Sequence, residues 1–255
     1  MTLHSKVSGS GPDLVLLHGW GMHAGVWGGL ARELSPHFRV HAVDLPGYGA
    51  SATCEPYTLE KMAAVLAQQM PQRCLVCGWS LGGQVALTWA GMAPQQVARL
   101  ALIATTPCFS RRADWPHAVE ASVLQAFAEE LQADYAGTLK RFLSLQALGD
   151  ARARQVALQL RESLFTRGEP DAAALGQGLE ILLHADFRGR LSAVAQPALV
   201  LHGDRDTLTP PAAGEYLGRS LPNARIVKLH GAAHAPFVSD LRKTSMILKG
   251  FFDER

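Results

Sequence analysis

The stretch "CGWSLGG" at residues 77–83 places a serine between glycines at the end of an apolar run. The run itself, "RCLVCG" at 73–78, is short, whereas "LGGQVALTWAGMA" at 81–93 carries apolar residues at helical spacing. Ser80 therefore lies between a predicted strand and a predicted helix, with a glycine two positions away on either side. This pattern predicts a nucleophile elbow, a tight turn that strains the serine backbone and raises the hydroxyl above a sheet. Because a free serine is a poor nucleophile, a base, an acid and an oxyanion hole must come from elsewhere in the chain.

The rest of the chain repeats this alternation of short apolar runs and helical segments, which indicates βα units and a parallel sheet. We expect helices on both faces of the sheet, with crossover helices at 58–70 and 81–93, and an edge hairpin in the opening dozen residues. The predicted strands are 13–19, 38–47, 73–78, 99–107, 197–204 and 224–231.

The alternation stops between Cys108 and Arg190, where no convincing strand is found. Helical stretches are predicted at 117–132, 134–148, 150–164 and 171–185. We interpret residues 108–190 as a helical cap over an α/β core formed by 1–107 and 191–255, since ligands of open α/β sheets bind beyond the carboxyl ends of the strands. The alternative is that these helices only cover the sheet, but a single crossover needs far fewer residues.

Length and composition limit the possible classes of protein. With 255 residues, 48% hydrophobic and 18% charged, the chain suits one α/β-sized domain with an insertion. A net charge of +2 argues against a nucleic-acid partner, which usually requires a strongly basic domain. No stretch approaches 18 apolar residues and the start lacks the apolar region of a signal peptide, so we expect no membrane partner and a cytoplasmic location. We also expect a monomer.

The four cysteines are interpreted as buried, reduced thiols rather than as a disulfide framework or a metal site. Cys74 and Cys77 form a CxxC motif, but strand geometry sends these two side chains to opposite faces. Cys54 and Cys108 are isolated, so four zinc ligands are not available. We therefore predict no metal and no organic cofactor.

The catalytic acid and base should follow the serine in the order acid, histidine. "LHGDRDTLTP" offers Asp204 and Asp206; we favour Asp206, which lies further into the turn, although it could instead be a turn carboxylate paired with Arg205.

"LHGAAHAPF" then offers His230 and His234 after the last predicted strand. We favour His234, in a small-residue loop before Pro236, because His230 ends the strand. The other histidines, including His23, His37, His41, His117, His184 and His202, have no comparable setting.

The oxyanion hole needs backbone N–H groups aimed at the tetrahedral intermediate. One should come from Leu81, the residue after the nucleophile, and the other from the loop "HGWG" at 18–21, where Trp20 is the best candidate. The alternative for "HGW" is a tight turn whose tryptophan only packs in the core.

The motifs "HGWG", "DLPGYGAS", "GWSLGG", "GDRD" and "GAAHAPF" occur in this order, and over essentially its whole length the chain resembles an α/β-hydrolase. More narrowly, it resembles the pimeloyl-[acyl-carrier protein] methyl ester esterase family of biotin synthesis. The narrower resemblance rests on "LLHGWGMHAGVW", "CGWSLGGQVA", "PCFSRRADWP", "RFLSLQALG", "GLEIL" and "AAHAPF".

This resemblance implies a serine carboxylesterase that frees the terminal carboxylate of a methyl-pimeloyl chain held on an acyl-carrier protein. It implies Ser80, Asp206 and His234 as the catalytic residues, Trp20 and Leu81 as oxyanion and acyl contacts, and Phe142 as a contact to the substrate chain. Cap arginines of the family hold the carrier, and Arg141 and Arg154 match two of them. Gly137 and Leu158 stand where two more would be expected, so Lys140, Arg152 or Arg161 could substitute.

Two other functions remain open at this stage. A general short-chain carboxylesterase or a thioesterase of the same fold would share every triad residue, because the pocket rather than the triad determines the substrate. A low-turnover ligand-binding receptor on a hydrolase scaffold would keep the pocket, but the complete set of serine, acid and histidine argues against it.

Overall fold

The computed structural model of the chain describes residues 2–164 and 171–254, so residues 165–170 of the predicted cap lie outside the described range. Seven strands form one sheet in the order β1-β3-β2-β4-β5-β6-β7. All neighbouring strands are parallel except β1, which is antiparallel to β3. The strands are β1 Ser5–Ser8, β2 Asp13–Leu17, β3 Arg39–Val43, β4 Cys74–Trp79, β5 Val97–Ile103, β6 Ala198–Gly203 and β7 Ala224–Leu229.

All six predicted strands are present, but the opening residues do not form the expected hairpin. β1 pairs with β3, with Ser5 opposite Val43 and Ser8 opposite Val40. The reason is that β2 is already bonded on one side to β3 and on the other to β4, so β1 cannot pair with β2 and pairs with the outer edge of β3 instead.

In the described parts of the chain, six helices outside the β5 to β6 connection accompany the sheet. They are α1 Gly28–Leu34, α2 Leu59–Gln69, α3 Leu81–Met92, α8 Pro211–Ser220, α9 Pro236–Ser239 and α10 Leu241–Asp253. The crossovers from β2 to β3 and from β3 to β4 run in opposite directions, so right-handed connections place α1 and α2 on opposite faces. Consistent with two layers, α1 packs against α10 and α2 packs against α3.

The strand order also fixes where a site can form. The chain leaves β2 toward one face and β4 toward the other, so a crevice opens between the carboxyl ends of these two neighbouring strands. The loops after β5, β6 and β7 reach the same edge, because these strands are parallel to β4.

Four further helices lie between β5 and β6, close to the predicted stretches: α4 Ala121–Ala133, α5 Tyr135–Gln146, α6 Ala153–Leu164 and α7 Ala172–His184. α4 packs against α5 and α7, and α5 packs against α6. The segment before α4 is irregular, and its residues Cys108 and Trp115 form a small buried cluster with Ala213 of α8. The boundary of the cap at residue 108 stays a prediction.

The main hydrophobic core lies around the centre of the sheet. Every residue of β4 is buried, and α3 is buried from Leu81 to Ala90. α3 is therefore enclosed by the sheet, α2 and the loops, which leaves its first turn little freedom to move. No helix in the described ranges has the length and apolar character needed to span a bilayer.

Candidate active site

Ser80 occupies the sharp turn between β4 and α3, with φ 55° and ψ −119°. A side chain at Gly78 would collide with the Gly82 carbonyl, and one at Gly82 would collide with the Leu17 carbonyl. The Ser80 N–H donates to the Ile103 carbonyl at 3.0 Å, which ties the turn to β5. The structure thus holds the serine in the strained conformation that the sequence pattern predicts.

A second strained residue lies at the end of the neighbouring strand. Ala104, with φ 43°, follows β5 and is the other non-glycine residue with positive φ in the described chain. Its N–H donates to the Leu201 carbonyl at 2.9 Å, and its own carbonyl oxygen lies 3.2 Å from the hydroxyl oxygen of Thr209. The strain therefore directs a carbonyl toward the loop that carries Asp206.

Asp206 and His234 form a buried pair at the same edge of the sheet. The Asp206 Oδ2 atom lies 2.8 Å from Nδ1 of His234, and the two residues are 3% and 1% exposed. Since an ionised carboxylate can only accept, Nδ1 carries a proton, and in the neutral form of the ring Nε2 keeps its lone pair. An imidazole in this tautomer is ready to act as a base through Nε2.

Backbone and side-chain donors hold the Asp206 carboxylate in place. Oδ1 accepts from the N–H groups of Leu208 and Thr209, each at 2.9 Å, and Oδ2 accepts from the Thr209 hydroxyl at 2.7 Å. Burial alone would raise the pKa of Asp206, but the neighbouring imidazole of His234, which donates a hydrogen bond to the carboxylate, and the hydroxyl of Thr209 lower it. The carboxylate therefore stays ionised around neutral pH.

His234 is fixed next to the elbow by Trp79, the residue before Ser80. The Trp79 indole N–H donates to the His234 carbonyl at 2.8 Å, and the two rings are 5.8 Å apart. The buried Nε2 atom of His234 has no hydrogen-bond partner among the described residues. Bonds between a nucleophile and its base commonly tighten only when substrate binds.

The two residues that sequence analysis ranked second pair with each other instead. Nδ1 of His230 lies 2.6 Å from Oδ2 of Asp204, and the His230 side chain is 86% exposed. This second pair is on the surface, whereas the pair of Asp206 and His234 is inside. The arrangement supports the preference for Asp206 and His234, although their catalytic roles stay a prediction.

Sequence analysis missed His202, which the structure places in contact with the buried carboxylate. Nε2 of His202 lies 2.6 Å from the Thr209 carbonyl and 3.5 Å from Oδ2 of Asp206. Burial lowers the pKa of His202, so its ring is neutral with the proton on Nε2. Its position in the sequence could have indicated this contact. His202 lies at the end of β6, and Asp206 follows four residues later in a tight turn.

The "HGWG" loop lies against the elbow. A Cβ atom at Gly19 would be 3.3 Å from the Ser80 Cβ, and Gly21 has φ +73°. His18 holds the loop from inside: its Nδ1 donates to the Gly19 carbonyl at 2.8 Å, and its Nε2 accepts from the Leu45 N–H at 3.0 Å. Burial lowers the pKa of His18 to about 4, so this bridging tautomer is neutral around pH 7.

Trp20 connects the same loop to the cap helices. Its indole N–H donates to the Leu175 carbonyl of α7 at 2.9 Å, and its ring meets Phe142 of α5 edge to face at 4.8 Å. Phe142 is 2% exposed and also contacts Phe127 of α4. The structure therefore brings Phe142 to the "HGWG" loop, and its contact with a substrate chain stays a prediction.

The basic residues of the cap differ in whether neighbouring groups form ion pairs or hydrogen bonds with them. Arg141 is half-exposed and forms an ion pair with Glu130 at 2.5 Å. Arg154 is exposed on α6 and makes no ion pair or hydrogen bond with any described residue. Arg161 bonds the Ser144 hydroxyl at 2.9 Å, and Arg152 bonds the Ser239 carbonyl at 2.6 Å. Leu158, where the resemblance implies an arginine, is 56% exposed.

Nothing in the described part of the chain brings three histidine, cysteine or carboxylate side chains together as a group that could hold a metal. The four cysteines are buried and unbridged. Burial raises the pKa of Cys74 to about 12 and raises that of Cys77 further. These thiols are packed side chains rather than nucleophiles.

Comparisons with known proteins give the site a context. Residues 12–241 match a protein family with the alpha/beta hydrolase fold. The pimeloyl-[acyl-carrier protein] methyl ester esterase of Nitrosomonas europaea is 48% identical over 238 residues, which cover 93% of this chain and 94% of the relative. The protein of the same name from Xanthomonas campestris is 44% identical over 98% of both chains.

Among solved structures, an esterase from Exiguobacterium antarcticum superposes with a TM-score of 0.89 and 22% sequence identity. The match covers 99% of this chain and 96% of the esterase. At 22% identity the similarity shows a shared fold, and the reaction has to be inferred from the residues of the site.

Proposed function

Because the chain belongs to the α/β-hydrolase family and, within it, to the pimeloyl-[acyl-carrier protein] methyl ester esterases, we propose that it hydrolyses the methyl ester of a pimeloyl chain carried on an acyl-carrier protein. That it is a carboxylic ester hydrolase follows from the family itself. The observation that carries the proposal is the buried pair of Asp206 and His234 beside a serine held at φ 55°. The reaction needs water alone as co-reactant.

The proposed reaction begins at Ser80. Nε2 of His234 accepts the hydroxyl proton while the serine oxygen attacks the ester carbonyl. The tetrahedral intermediate collapses as the C–O bond to the methoxy group breaks, and His234 returns the proton so that methanol leaves. Water then attacks the acyl-enzyme through the same base, and the terminal carboxylate is released.

Asp206 orients the imidazole and stabilises the imidazolium that forms during each step. The lowered pKa of Asp206 keeps its negative charge available for this role. The backbone donors from Leu208 and Thr209 keep the carboxylate from rotating.

The oxyanion would bind to the backbone N–H groups of Trp20 and Leu81. Leu81 is the first residue of α3, so its N–H has no acceptor within the helix, and the helix dipole favours negative charge there. Neither of these N–H groups donates a hydrogen bond to another described residue. Phe142, packed on Trp20, would contact the acyl chain.

A carrier-bound substrate also requires a surface for the acidic carrier protein. Arg154 supports this part of the proposal best, because its charge is exposed and not neutralised by a described neighbour. Arg141 can contribute when its ion pair with Glu130 opens or when both residues adjust to the carrier. Arg161, seven residues after Arg154 on α6, lies close to the same helical face.

Mass spectrometry of methyl-pimeloyl carrier protein tests the reaction. Wild-type enzyme should remove only the methyl group, and Ser80→Ala should lower turnover roughly a millionfold. Ser245→Ala is the matched control, since Ser245 is buried and, among the described residues, bonds only the Arg242 carbonyl of α10. Release of the carrier thiol would instead identify a thioesterase, and an intact substrate would exclude the proposed ester.

Charge reversal tests the carrier surface separately from the chemistry. Arg154→Glu should raise KM for the carrier-bound ester and leave a small free methyl ester unaffected. Arg219→Glu, on α8 of the core, is the control and should change neither value. If Arg154→Glu changes KM equally for both substrates, the carrier surface around Arg154 is contradicted, whereas the proposed esterase activity is not.

A further inference from the structure

The segment that joins α5 to α6 lies directly against the loop that carries His234. Three hydrogen bonds connect them: the His234 N–H donates to the Gln146 carbonyl at 3.2 Å, the Ala233 N–H to Oδ2 of Asp150 at 2.9 Å, and the Ala151 N–H to the Gly231 carbonyl at 2.8 Å. The Gln146 carbonyl is at the end of α5 and has no acceptor role inside the helix. The free carbonyl at the end of α5 is therefore satisfied by the backbone N–H of His234, the proposed base.

Asp150 is the side chain at the centre of this contact. It is 7% exposed, and both carboxylate oxygens are used: Oδ1 accepts from the Arg152 N–H at 2.7 Å, while Oδ2 accepts from Ala233. The bond to Arg152 is local: it joins residues two positions apart, in the turn that precedes α6. The bond to Ala233 crosses to the core, more than 80 residues further along the chain, and the local turn does not require it.

The His234 loop depends on such bonds because its own side chains are small. Gly231, Ala232, Ala233 and Ala235 offer little surface by which packing could fix the main chain. On the core side, Trp79 bonds the His234 carbonyl and the Arg205 N–H bonds the Ala232 carbonyl at 3.0 Å. Among the described residues, only cap residues accept hydrogen bonds from the N–H groups of Ala233 and His234.

We propose that Asp150 is a positioning residue for His234, so that the cap sets the place of the imidazole relative to Ser80. This inference rests on the proposed function, since it takes His234 as the base. Loss of the Asp150 carboxylate frees the Ala233 N–H and lets the main chain before His234 shift. A displacement of about 1 Å in a catalytic group can cost roughly a hundredfold in rate.

The test compares Asp150→Ala with Asp134→Ala in the hydrolysis of a small free ester, which needs no carrier contact. Asp134 caps α5 through Oδ1 and the Gly137 N–H at 2.9 Å, so its loss removes a helix cap of the same cap region without touching the His234 loop. Asp150→Ala should lower kcat about 10- to 100-fold with KM within about twofold of wild type. Asp134→Ala should leave both constants near wild type.

Thermal unfolding of each variant sets an assay temperature at which all are folded, and Asp150→Asn with Asp134→Asn repeats the comparison if an alanine variant does not fold. A kcat that is unchanged by loss of Asp150, or lowered equally by loss of Asp134, overturns the inference. His234→Ala is measured alongside: if it stays active, the proposed function fails, whereas an inactive His234→Ala with an unaffected Asp150→Ala removes only the positioning role.

Discussion

At the scale of single residues, Thr209 is the side chain whose removal should affect the acid most directly. Its hydroxyl donates to Oδ2 of Asp206 at 2.7 Å, the oxygen that also faces His234. Thr209→Val should lower kcat about tenfold, a fraction of what general base catalysis contributes. Thr88→Val is the control, because the Thr88 hydroxyl is buried but bonds only the Gln84 carbonyl of its own helix. Steady-state kinetics on a small ester distinguishes the two, and equal losses would contradict the prediction.

His18 should make the stability of the folded chain depend on pH. Its pKa falls from 6.5 to about 4 on folding because the ring is buried, so the unfolded chain binds the extra proton first as the pH falls. Its contribution to stability is complete above about pH 6.5 and is lost as the pH falls toward 4. When the pH falls from 7.5 to 5.5, the free energy of unfolding of wild type should decrease by about 1 kcal/mol more than that of His18→Asn.

Urea unfolding at the two pH values measures this difference. His37→Asn is the control, since His37 is an exposed residue outside the site, and it should keep the wild-type dependence. The prediction is wrong if His18→Asn loses as much stability as wild type over the same interval.

At the scale of secondary structure elements, two glycines of α3 should respond to alanine in opposite directions. A Cβ at Gly82 would collide with the carbonyls of Leu17 and His18, and these cannot retreat without moving the "HGWG" loop. Gly82→Ala should therefore destabilise the chain by about 2 kcal/mol and reduce activity. Gly91→Ala, where a Cβ meets open space, should stabilise by about 0.5 kcal/mol. Chemical denaturation measures both, and similar effects would contradict the argument.

The elements that sequence predicted well are those whose pattern is local. The runs at 13–19 and 73–78 became β2 and β4, because buried parallel strands are short and apolar whatever their neighbours are. The pairing of β1 was not predictable in this way, since its partner depends on which strand edge is left free. His202 was missed for the same reason: its contact with Asp206 needs the turn after β6, which no periodicity describes.

At the scale of the whole molecule, the sheet brings together residues that are far apart in the chain. Ser80, Asp206 and His234 follow β4, β6 and β7, and parallel order places all three loops at one edge. Sequence order was sufficient to predict this meeting. It was not sufficient to predict that Leu175 and Asp150 also connect the helices between β5 and β6 to the site, since those contacts depend on how the helices pack.

The charge of the whole molecule leads to a prediction about salt. With a net charge of +2, long-range attraction of the acidic carrier in the proposed function would be weak, so the exposed charge of Arg154 would have to provide it locally. Screening shortens the reach of exposed charges from about 10 Å at 0.1 M to a few ångströms at 1 M salt. Raising the salt concentration from 0.05 to 0.5 M should therefore lower kcat/KM for carrier-bound ester about tenfold.

The same change in salt should alter kcat/KM for a small neutral ester less than about twofold, because no charged surface steers it. Arg154→Gln should flatten the salt dependence for the carrier-bound ester, whereas Arg219→Gln should not. Stopped-flow or initial-rate measurements across the salt series provide the test. If both substrates respond equally to salt, the effect acts on the site itself, and the patch around Arg154 does not guide the carrier.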